Sequence, residues 1–291
     1  SSAYNVRGGN YDENLIYLNG YQIYRPYLLR TGVEENQSLL NPDLTRTLNF
    51  YSGGFPVRFG DRMSSVLNAT YGVPQADDIK GVARADLLNV GLAVHQSREN
   101  WGWSFAARYA NPVSFLNRLQ TSGDYRPQYS DIQLLFEYQL SHSDRLELLF
   151  LYADNTFDLT PRLWKGNFKM GQYDVRGVDI EYSGYQRYAF QTGLTGLKWE
   201  KNFSPKSMML FSMSGFISQE NEDRNLAGDI YYVPDAREPW STREYLKTRS
   251  EEVTNRLDLS SFDLKWEFIR HWNNHRLQTG FSFKKNNLRG R

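Results

Sequence analysis

The feature that most constrains this chain is an alternation of apolar and polar side chains, repeated in segments of about ten residues. In residues 101–110, one face carries Trp101, Trp103, Phe105, Ala107 and Tyr109. The other face carries Gly102, Ser104, Ala106 and Arg108. Residues 131–140 and 145–153 repeat the pattern. A helix would place such residues on both sides, so the pattern predicts β-strands, each about as long as a tilted crossing of a bilayer.

The connections between these segments alternate in length. Short ones cover residues 141–144, 201–207 and 271–275, and long ones cover 111–130, 154–187 and 219–252. Residues 79–97 fit this alternation only as a hairpin that turns near Leu88 and Asn89. Further strands are predicted at 188–200, 208–218, 253–270 and 276–285, so about nine strands result. Short turns on one side and long loops on the other are typical of an outer-membrane β-barrel.

Aromatic residues cluster beside the short turns, where rings at a membrane boundary form a belt. The belt residues are expected to be Trp101, Trp199, Phe203, Trp266 and Trp272. A soluble β-sandwich could show the same alternation, but it explains the strand length and the loop asymmetry poorly. The sequence therefore predicts a mainly β chain that contributes part of a transmembrane antiparallel barrel.

Composition excludes several other classes. No window holds the roughly 18 consecutive apolar residues that a spanning helix needs, and the mean hydropathy is −0.64. Lys and Arg number 34 against 33 Asp and Glu, without the basic excess that nucleic-acid binding through phosphates requires. Cysteine is absent, so neither disulfides nor thiolate metal sites are expected.

No catalytic motif or paired-carboxylate site occurs, so we expect no enzyme activity, no cofactor and no metal. His271 and His275 fall in a predicted turn, where helical ligand spacing does not apply. Residues 221–229 lack the regular ligand spacing of a calcium loop and are predicted to be a solvated loop. Arg7-Gly8-Gly9 occurs once, whereas RNA-binding segments repeat this element.

Residues 1–73 follow a different pattern and are predicted to be a small α+β domain. A strand at 14–18 precedes Asn19-Gly20, a strong type I′ hairpin signal, and the chain returns at 21–24. Asn41-Pro42-Asp43 can start a short helical turn. A strand is expected at 47–51, followed by the Gly53-Gly54 break.

This region resembles the plug domain of TonB-dependent outer-membrane receptors. Val6-Arg7-Gly8-Gly9, followed by Asn14 to Gly20, is similar to the family's Arg-Gly-Gly block and the strand that ends in Asp-Gly. Residues 48–60 resemble its next block, and 64–70 its closing strand. The motif residues that carry the resemblance are Arg7, Gly8, Gly9, Asn19, Gly20, Gly53, Gly54, Phe59 and Gly60. Asn19 stands where the family usually has Asp, and Ser64-Ser65 stands where it often has Gly-Gly.

The resemblance implies that residues 1–73 are the C-terminal part of a plug inside the barrel that residues 79–291 begin. The family's barrel has about twenty-two strands, so we expect the chain to belong to a longer protein. The implied location is the outer membrane of a Gram-negative bacterium, in contact with its lipid. The energy-coupling box is expected upstream of this chain.

The resemblance implies uptake of a ligand from outside, driven by the proton-motive force through the TonB complex. The ligand would be a small molecule, a peptide or an oligosaccharide. A lipoprotein partner is also expected. A surface receptor, signalling element or scaffold without transport remains the alternative, and a soluble carbohydrate-binding β protein is a third.

Ligand contacts are expected where aromatic and guanidinium groups face outside. The residues in question are Tyr24, Arg25, Tyr27 and Arg30 in the plug apex and Trp164, Tyr173, Tyr185 and Trp240 in the long loops. Each of them could instead pack its loop against the barrel or against another loop, and the sequence leaves both interpretations open.

Overall fold

The structure is a computed structural model that describes residues 6–8, 13–24, 27–29, 37–56, 58–59, 64–86, 89–111, 123–161, 163–170, 174–238 and 241–291. Within these ranges the strands are β1 (Asn14–Leu18), β2 (Tyr21–Ile23), β3 (Tyr27–Leu29), β4 (Gln37–Ser38), β5 (Thr45–Tyr51), β6 (Ser65–Tyr71), β7 (Lys80–Ala85), β8 (Asn89–Ser97), β9 (Trp101–Ala110), β10 (Gly123–Gln139), β11 (Asp144–Pro161), β12 (Leu163–Lys169), β13 (Val175–Ser204), β14 (Ser207–Val233), β15 (Glu244–Trp272) and β16 (His275–Gly290). The described residues include no helix long and apolar enough to cross a membrane. The prediction of a mainly β chain is confirmed.

Strands β2, β1, β6 and β5 form, in that order, a sheet that we call the four-stranded unit. The β1–β2 turn has positive φ at Asn19 (52°) and Gly20 (87°), as the predicted type I′ turn requires. β1 then pairs in parallel with β6, from Asn14 opposite Ser65 to Leu18 opposite Ala69. One face of the unit buries a small cluster of Leu15, Tyr17, Phe59 and Val66.

The predicted α component of residues 1–73 is absent from the part of that region that the structure describes, which holds strands and turns. The helical turn expected at Asn41 is limited to two successive bonds. The amide of Leu44 donates to Asn41 O and that of Thr45 to Pro42 O, both over 3.3 Å. Strand β5 starts at Thr45 immediately afterwards, so the turn is not extended.

The second sheet, which we call the wall, has the order β16-β15-β14-β13-β11-β10-β9-β8-β7, with β12 paired to β13. This path holds nine antiparallel strands, the number predicted. Leaving β12 aside, each strand lies beside the strands that precede and follow it in the chain. The hairpin predicted within 79–97 is confirmed as β7 and β8, closed by Asp86 and Asn89. The three short turns also fall where they were expected.

The predicted loops at 154–187 and 219–252 are wrong for most of their length. Strands β13, β14 and β15 have 30, 27 and 29 residues, and they continue as paired ribbons through these segments. Residues 221–229, predicted to be a loop, lie inside β14. In β14 and β15 both faces of these segments are mostly polar, so no alternation marks the strand although its backbone hydrogen bonds continue. In β13 the alternation does continue, through Val178 and Ile180, but this segment was predicted to be a loop.

Apolar side chains lie on the face of the wall that points away from the four-stranded unit. Residues directly opposite each other on neighbouring strands share a face. One such row consists of Ile132, Tyr152, Gly193 and Ile217, and the next of Leu134, Phe150, Thr195, Gly215 and Phe262. Ile217 is 57% exposed. The faces predicted for 101–110, 131–140 and 145–153 are confirmed.

The opposite face of the wall, covered by the four-stranded unit, is rich in polar groups. Its buried polar residues include Ser104, Asp131, Gln133, Thr192, Ser218, Ser261 and Asp263. They alternate with or adjoin buried apolar residues, among them Leu149, Leu194 and Phe216, which share one cluster with Leu18, Ile23 and Leu39 of the N-terminal region. The wall therefore buries polar groups and exposes apolar ones, the reverse of a water-soluble sheet.

Two cross-strand rows bound the apolar face. Near the short turns lies an aromatic row of Trp101, Tyr138, Leu146, Trp199, Phe211, Trp266 and Phe281. At the other end lies a polar row of Ser130, Asp154, Gln191, Gln219, Asp258 and Arg289. Eight residues separate the rows along a strand, roughly 27 Å at the usual rise. With the strand tilt usual in membrane barrels, this corresponds to a band about 20 Å tall.

Candidate functional site

The four-stranded unit and the segment between its strands β2 and β5 touch the inner face of the wall through polar groups, and this contact is the candidate site. The most buried connection begins at Arg108 of β9. Its guanidinium donates two hydrogen bonds to Asp131, over 2.7 and 3.1 Å, and a third to Leu39 O over 3.0 Å. Asp131 is 2% exposed. A buried carboxylate is tolerable because a bidentate guanidinium compensates its charge.

Gln133 and Tyr71 extend this connection. The amide of Gln133 donates to Leu39 O (2.8 Å), and its carbonyl accepts from the Tyr71 hydroxyl (2.6 Å). The same hydroxyl accepts from the Asn41 amide (2.6 Å). Burial raises the pKa of Tyr71 well above its usual range, so the phenol keeps its proton and can donate. We call Arg108, Asp131, Gln133 and Tyr71 the buried anchor.

A second connection lies at the β1–β2 turn. The side-chain oxygen of Asn19 accepts from the Tyr71 amide (2.7 Å), and its nitrogen donates to Glu147 Oε1 (3.0 Å). Lys198 Nζ donates to the same oxygen over 2.9 Å. Asn19 thus connects β6 of the unit with β11 of the wall. Asparagine suits this position because it tolerates the positive φ of the turn and its small polar side chain can bond to both strands.

The ring of Tyr21 lies against β13 at Gly196. A Cβ at position 196 would stand 2.5 Å from two ring carbons, so only glycine leaves room for the tyrosine. Lys198 Nζ lies 5.5 Å from the ring centroid. The Tyr21 hydroxyl is buried and has no hydrogen-bond partner among the described residues. Burial, with a smaller contribution from Glu147, raises the pKa of Tyr21 far above its usual range.

Two further lysines of the wall repeat this arrangement. Lys265 Nζ lies 5.3 Å from the Tyr17 ring centroid and 3.3 Å from Gly20 O. Lys284 Nζ lies 5.8 Å from the Tyr24 centroid and donates to the Gln22 side chain over 2.6 Å. Cation–π contacts of this kind contribute about 0.5–2 kcal/mol each. A lysine from each of β13, β15 and β16 therefore lies near a tyrosine ring of the hairpin or of the residue that follows it, with Tyr21 and Tyr17 on opposite faces of the hairpin.

A cavity of about 290 Å³ opens between the unit and the wall beside the β1–β2 turn, at the short-turn end. Its charged lining comprises Arg58, Arg145, Lys198, Lys265, Glu147, Glu200 and Glu267. Asn19 and Gly20 form part of its border, so the turn separates this space from the buried contacts of the unit.

Several motif residues that carry the family resemblance make identifiable contacts or turns in the described part of the chain. Arg7 and Gly8 form a left-handed turn, and the Arg7 guanidinium lies 3.0 Å from where a Cβ of Gly53 would stand. Gly54 also has positive φ (61°). Phe59 is buried, with its ring centroid 4.9 Å from that of Tyr17. Gly9 and Gly60 lie outside the described residues.

The two serines that depart from the family pattern make hydrogen bonds that glycine could not. Ser64 Oγ donates to Val6 O (2.8 Å), and Ser65 Oγ donates to Asn14 Oδ1 (2.6 Å). They join the Arg7 turn and the start of β1 to β6. Glycine at either position would leave its acceptor without this partner.

The predicted ligand residues do not form one cluster among the described residues. Tyr24 packs against the wall: its hydroxyl lies 3.2 Å from Ser261 Oγ, and its ring centroid lies 5.3 Å from that of Phe216. Tyr185 is exposed on the outer face of the ribbon, where its hydroxyl donates to Asp223. Trp164 is half exposed on β12. Tyr27 lies in β3, but its side chain is outside the part of the chain that the structure describes. Arg25, Arg30, Tyr173 and Trp240 lie entirely outside the described residues.

Sequence reasoning missed the residues that hold the unit to the wall. Arg108, Asp131, Gln133, Glu147 and Lys198 occupy the polar positions of alternating strands, which a single sequence does not distinguish from positions facing water. The sequence did carry a signal for these residues, namely charged side chains on strands whose other face is apolar. Such charges point to the inside of a barrel and need partners there.

The short turn before β11 also has a defined electrostatic structure. One carboxylate oxygen of Asp144 accepts from Ser143 (2.7 Å) and Ser141 (2.8 Å), and the other accepts from Lys201 (3.1 Å) and the Trp199 indole (3.1 Å). These donors, led by Ser143, hold the pKa of Asp144 well below its usual range. The turn thereby orients one ring of the aromatic row.

At the opposite end, ion pairs hold the long ribbons together. Arg243 pairs with Glu181 and lies 3.8 Å from the buried Asp179, which Lys165 approaches to 3.7 Å. In the loop before β15, Arg237 lowers the pKa of Asp235 to about 2. The ribbons therefore extend as ordered sheet beyond the polar row of the outer face.

No protein-family model matches this chain, and neither does any curated protein. Among solved structures, it is similar to the outer membrane transporter YddB from Escherichia coli, with 12% identity and a TM-score of 0.46 over 97% of this chain and 50% of that one. It is also similar to BauA, the ferric preacinetobactin receptor from Acinetobacter baumannii, with 10% identity and a TM-score of 0.41 over 100% of this chain and 53% of that one.

A mutant of the ferric enterobactin receptor PfeA from Pseudomonas aeruginosa matches at 11% identity and a TM-score of 0.41, over 98% of this chain and 52% of the receptor. The chain thus spans about half the length of each of these structures.

Proposed function

We propose that this chain forms the plug and the first barrel strands of an outer-membrane receptor that imports a ligand from outside. The observation that carries the proposal is the inverted wall, with apolar rows outside, polar groups inside and the four-stranded unit against the inner face. Residues 1–73 would be part of the plug, and 79–291 would be part of the barrel.

The outer face has the properties that lipid contact demands. Its apolar rows form a band about 20 Å tall, close to the roughly 25 Å of an outer-membrane barrel. An aromatic row borders the band on the side of the short turns, which we assign to the periplasm. The ribbons at the other end would then stand outside the cell, where a ligand arrives.

A unit held inside the wall blocks the lumen, so uptake requires that some of its contacts open. Because the outer membrane holds neither ATP nor an ion gradient of its own, the energy would come from the proton-motive force through the TonB complex. The ligand would be a small molecule, a peptide or an oligosaccharide, bound between the plug and the ribbons. Enzymatic chemistry has no part in this proposal.

The location can be tested by fractionating the source membrane and following the native protein. Recovery in the outer-membrane fraction, release only by detergent, and a heat-dependent change in electrophoretic mobility are expected of a folded barrel. Release by salt or alkaline washing would contradict the membrane assignment and favour the soluble β protein.

Uptake can be tested in cells that carry or lack the gene, with radiolabelled ferric siderophores, cobalamin, peptides and oligosaccharides. Accumulation that needs the gene and stops on addition of a protonophore would support energy-coupled import. Surface binding without gene-dependent accumulation of any ligand would support the second candidate, a receptor or scaffold that moves no cargo. The buried anchor favours that candidate, because its saturated contacts hold the unit in place.

A further inference from the structure

The two connections between the N-terminal region and the wall differ in how completely their polar groups are satisfied. In the buried anchor, Arg108 meets both oxygens of Asp131, and Gln133 meets both Leu39 and Tyr71. At the β1–β2 hairpin, by contrast, the hydrogen bonds to the wall are part-buried or exposed: Asn19 donates to Glu147, Lys265 to Gly20 O and Lys284 to the Gln22 side chain. The Tyr21 hydroxyl nearby lacks a partner among the described residues. The turn also borders the cavity. Its connection is therefore the weaker of the two.

The geometry points to the Asn19–Glu147 contact as a latch, which keeps the β1–β2 hairpin on the wall and opens before the buried anchor. Asn19 is the positioning residue of this latch, because its carboxamide has to serve two partners of opposite kind. Its oxygen accepts from the Tyr71 amide, and its nitrogen donates to Glu147. Carboxylate oxygens could meet the first requirement and would fail the second.

The latch explains why asparagine rather than aspartate suits this turn. A carboxylate in place of the Asn19 carboxamide would face Glu147 at about the distance of the present 3.0 Å hydrogen bond. Lys198 already donates to Glu147 and can offset only part of the added charge. Like charges at this separation disfavour the closed contact or force one group to take up a proton.

The functional meaning of the latch rests on the proposed uptake: a plug that moves needs a contact that releases without unfolding the buried anchor. The existence of the latch does not depend on uptake. Opening it would join the cavity to the space now occupied by the hairpin, at the end of the wall that we assign to the periplasm.

The test is hydrogen exchange of the detergent-purified full chain, followed by mass spectrometry of peptides that cover residues 14–24. Asn19→Asp is expected to accelerate exchange in β1 and β2 about tenfold, which corresponds to about 1.4 kcal/mol. Exchange in residues 104–110 and 131–135 of the wall is expected to stay within twofold. Asn68→Asp is the matched control, since it adds the same charge at the cavity border without a wall hydrogen bond among the described residues.

A second substitution distinguishes the pair contact from general damage. In Asn19→Asp with Glu147→Gln, the glutamine can donate to the new carboxylate, so exchange is expected to return to within about twofold of the wild type. Glu147→Ala removes the acceptor from the wall alone and should accelerate exchange in the same peptides. It keeps the test open if Asn19→Asp does not fold.

The Asn19→Asp effect should shrink on acidification, because one proton shared between positions 19 and 147 restores a donor. The charged and titratable groups facing this pair are Glu137, Arg145, Lys198 and Glu200 on the adjacent strands, Lys265 and Glu267 across the cavity, and Arg58 and Tyr21 on the N-terminal side. Acidification of Asn68→Asp is the control, because it measures how the titration of these surrounding groups by itself changes the exchange.

Unchanged exchange in both Asn19→Asp and Glu147→Ala, or failure of the double variant to restore it, would overturn the latch. Altered exchange in a protein that imports nothing would leave the latch standing and count against the proposed uptake. Import by the protein, together with wild-type exchange in all variants, would support the proposed uptake and count against the latch.

Discussion

At the residue scale, this protein depends on a few side chains whose partners lie far away along the chain. Gly196 is one of them, because it is the place where Tyr21 rests on the wall. Arg108 is another, because it neutralises the most buried carboxylate of the inner face. The importance of each residue can be tested by making the same substitution there and at a second position in the wall that holds the same residue type.

Gly196→Val is expected to displace Tyr21, since even the first carbon of the new side chain would lie 2.5 Å from its ring. Overpacking of this kind costs about 1–3 kcal/mol. The effect should appear as faster proteolysis of residues 14–24 in the folded protein. Gly215→Val is the control, as a Cβ there meets nothing within 4 Å. Equal proteolysis of the two variants would contradict the role of Gly196.

Arg108→Ala is expected to lower the free energy of unfolding by about 3–5 kcal/mol, because it leaves Asp131 charged and buried without its partner. The midpoint of denaturant-induced unfolding in detergent would measure the loss. Arg187→Ala removes an ion pair of similar length with Asp158, but the two side chains there are 61% and 40% exposed. That control should change stability by about 1 kcal/mol or less. Similar losses in both variants would show that the inner face is not shielded from water.

At the element scale, the turn before β11 and the ends of the long ribbons carry ion pairs and charged hydrogen bonds. The turn before β11 is the clearest case, with four donors around Asp144. A carboxyl whose pKa is depressed by folding contributes stability above its unfolded pKa and loses it as pH falls toward the folded pKa. For Asp144 the loss therefore begins below about pH 4.

Asp144→Asn should consequently flatten the acid limb of the stability profile. Thermal melting of the wild type and the variant between pH 6 and pH 2.5 would show it, with the difference in Tm largest at pH 6 and smallest at low pH. Asp154→Asn removes the same charge from a site where the partner is the neutral Gln191. A difference in Tm that does not depend on pH would show that the turn is stabilised by something other than the charge of Asp144.

At the scale of the whole molecule, the two faces of the wall differ in chemistry. Its inner face carries charged groups that contact the four-stranded unit, such as Glu147 and Lys265, and its outer face is apolar between the aromatic row and the polar row. This arrangement would be unstable in water, where the exposed apolar band has no partner, and is stable when lipid surrounds the band.

Leu134→Lys is therefore expected to impair folding into lipid vesicles by about 2–4 kcal/mol, the usual penalty for a cation at the middle of the band. On β10, Leu134 lies midway between Tyr138 of the aromatic row and Ser130 of the polar row. Ser130→Lys is the matched control, on the same strand and face but in the polar row. It should fold like the wild type in a heat-dependent mobility assay. If Leu134→Lys folds as well as the control, the outer face does not lie in lipid.

Much of this architecture follows from local pattern. Alternation identified the two faces of the strands, because successive side chains in a strand point to opposite sides. Glycine and asparagine identified the β1–β2 turn, since positive φ is accessible to few other residues. The short turns were found from the breaks in the alternation, and with them the number of strands in the wall.

The lengths of the ribbons and the partners of the inner charges came only from the tertiary structure. Beyond the polar row, both faces of β14 and β15 are mostly polar, so no period marks these strands although their backbone bonds continue. In β13 the alternation does continue, through residues such as Val178 and Ile180, and the sequence prediction passed over it. Asn19 was identified from sequence as a turn residue, but Glu147 lies 128 residues away, and their contact depends on how the unit sits against the wall. The sequence by itself determined which face of each strand is apolar, whereas tertiary packing decided which polar groups meet, because hydrogen bonds depend on positions in space and periodicity depends only on neighbours in the chain.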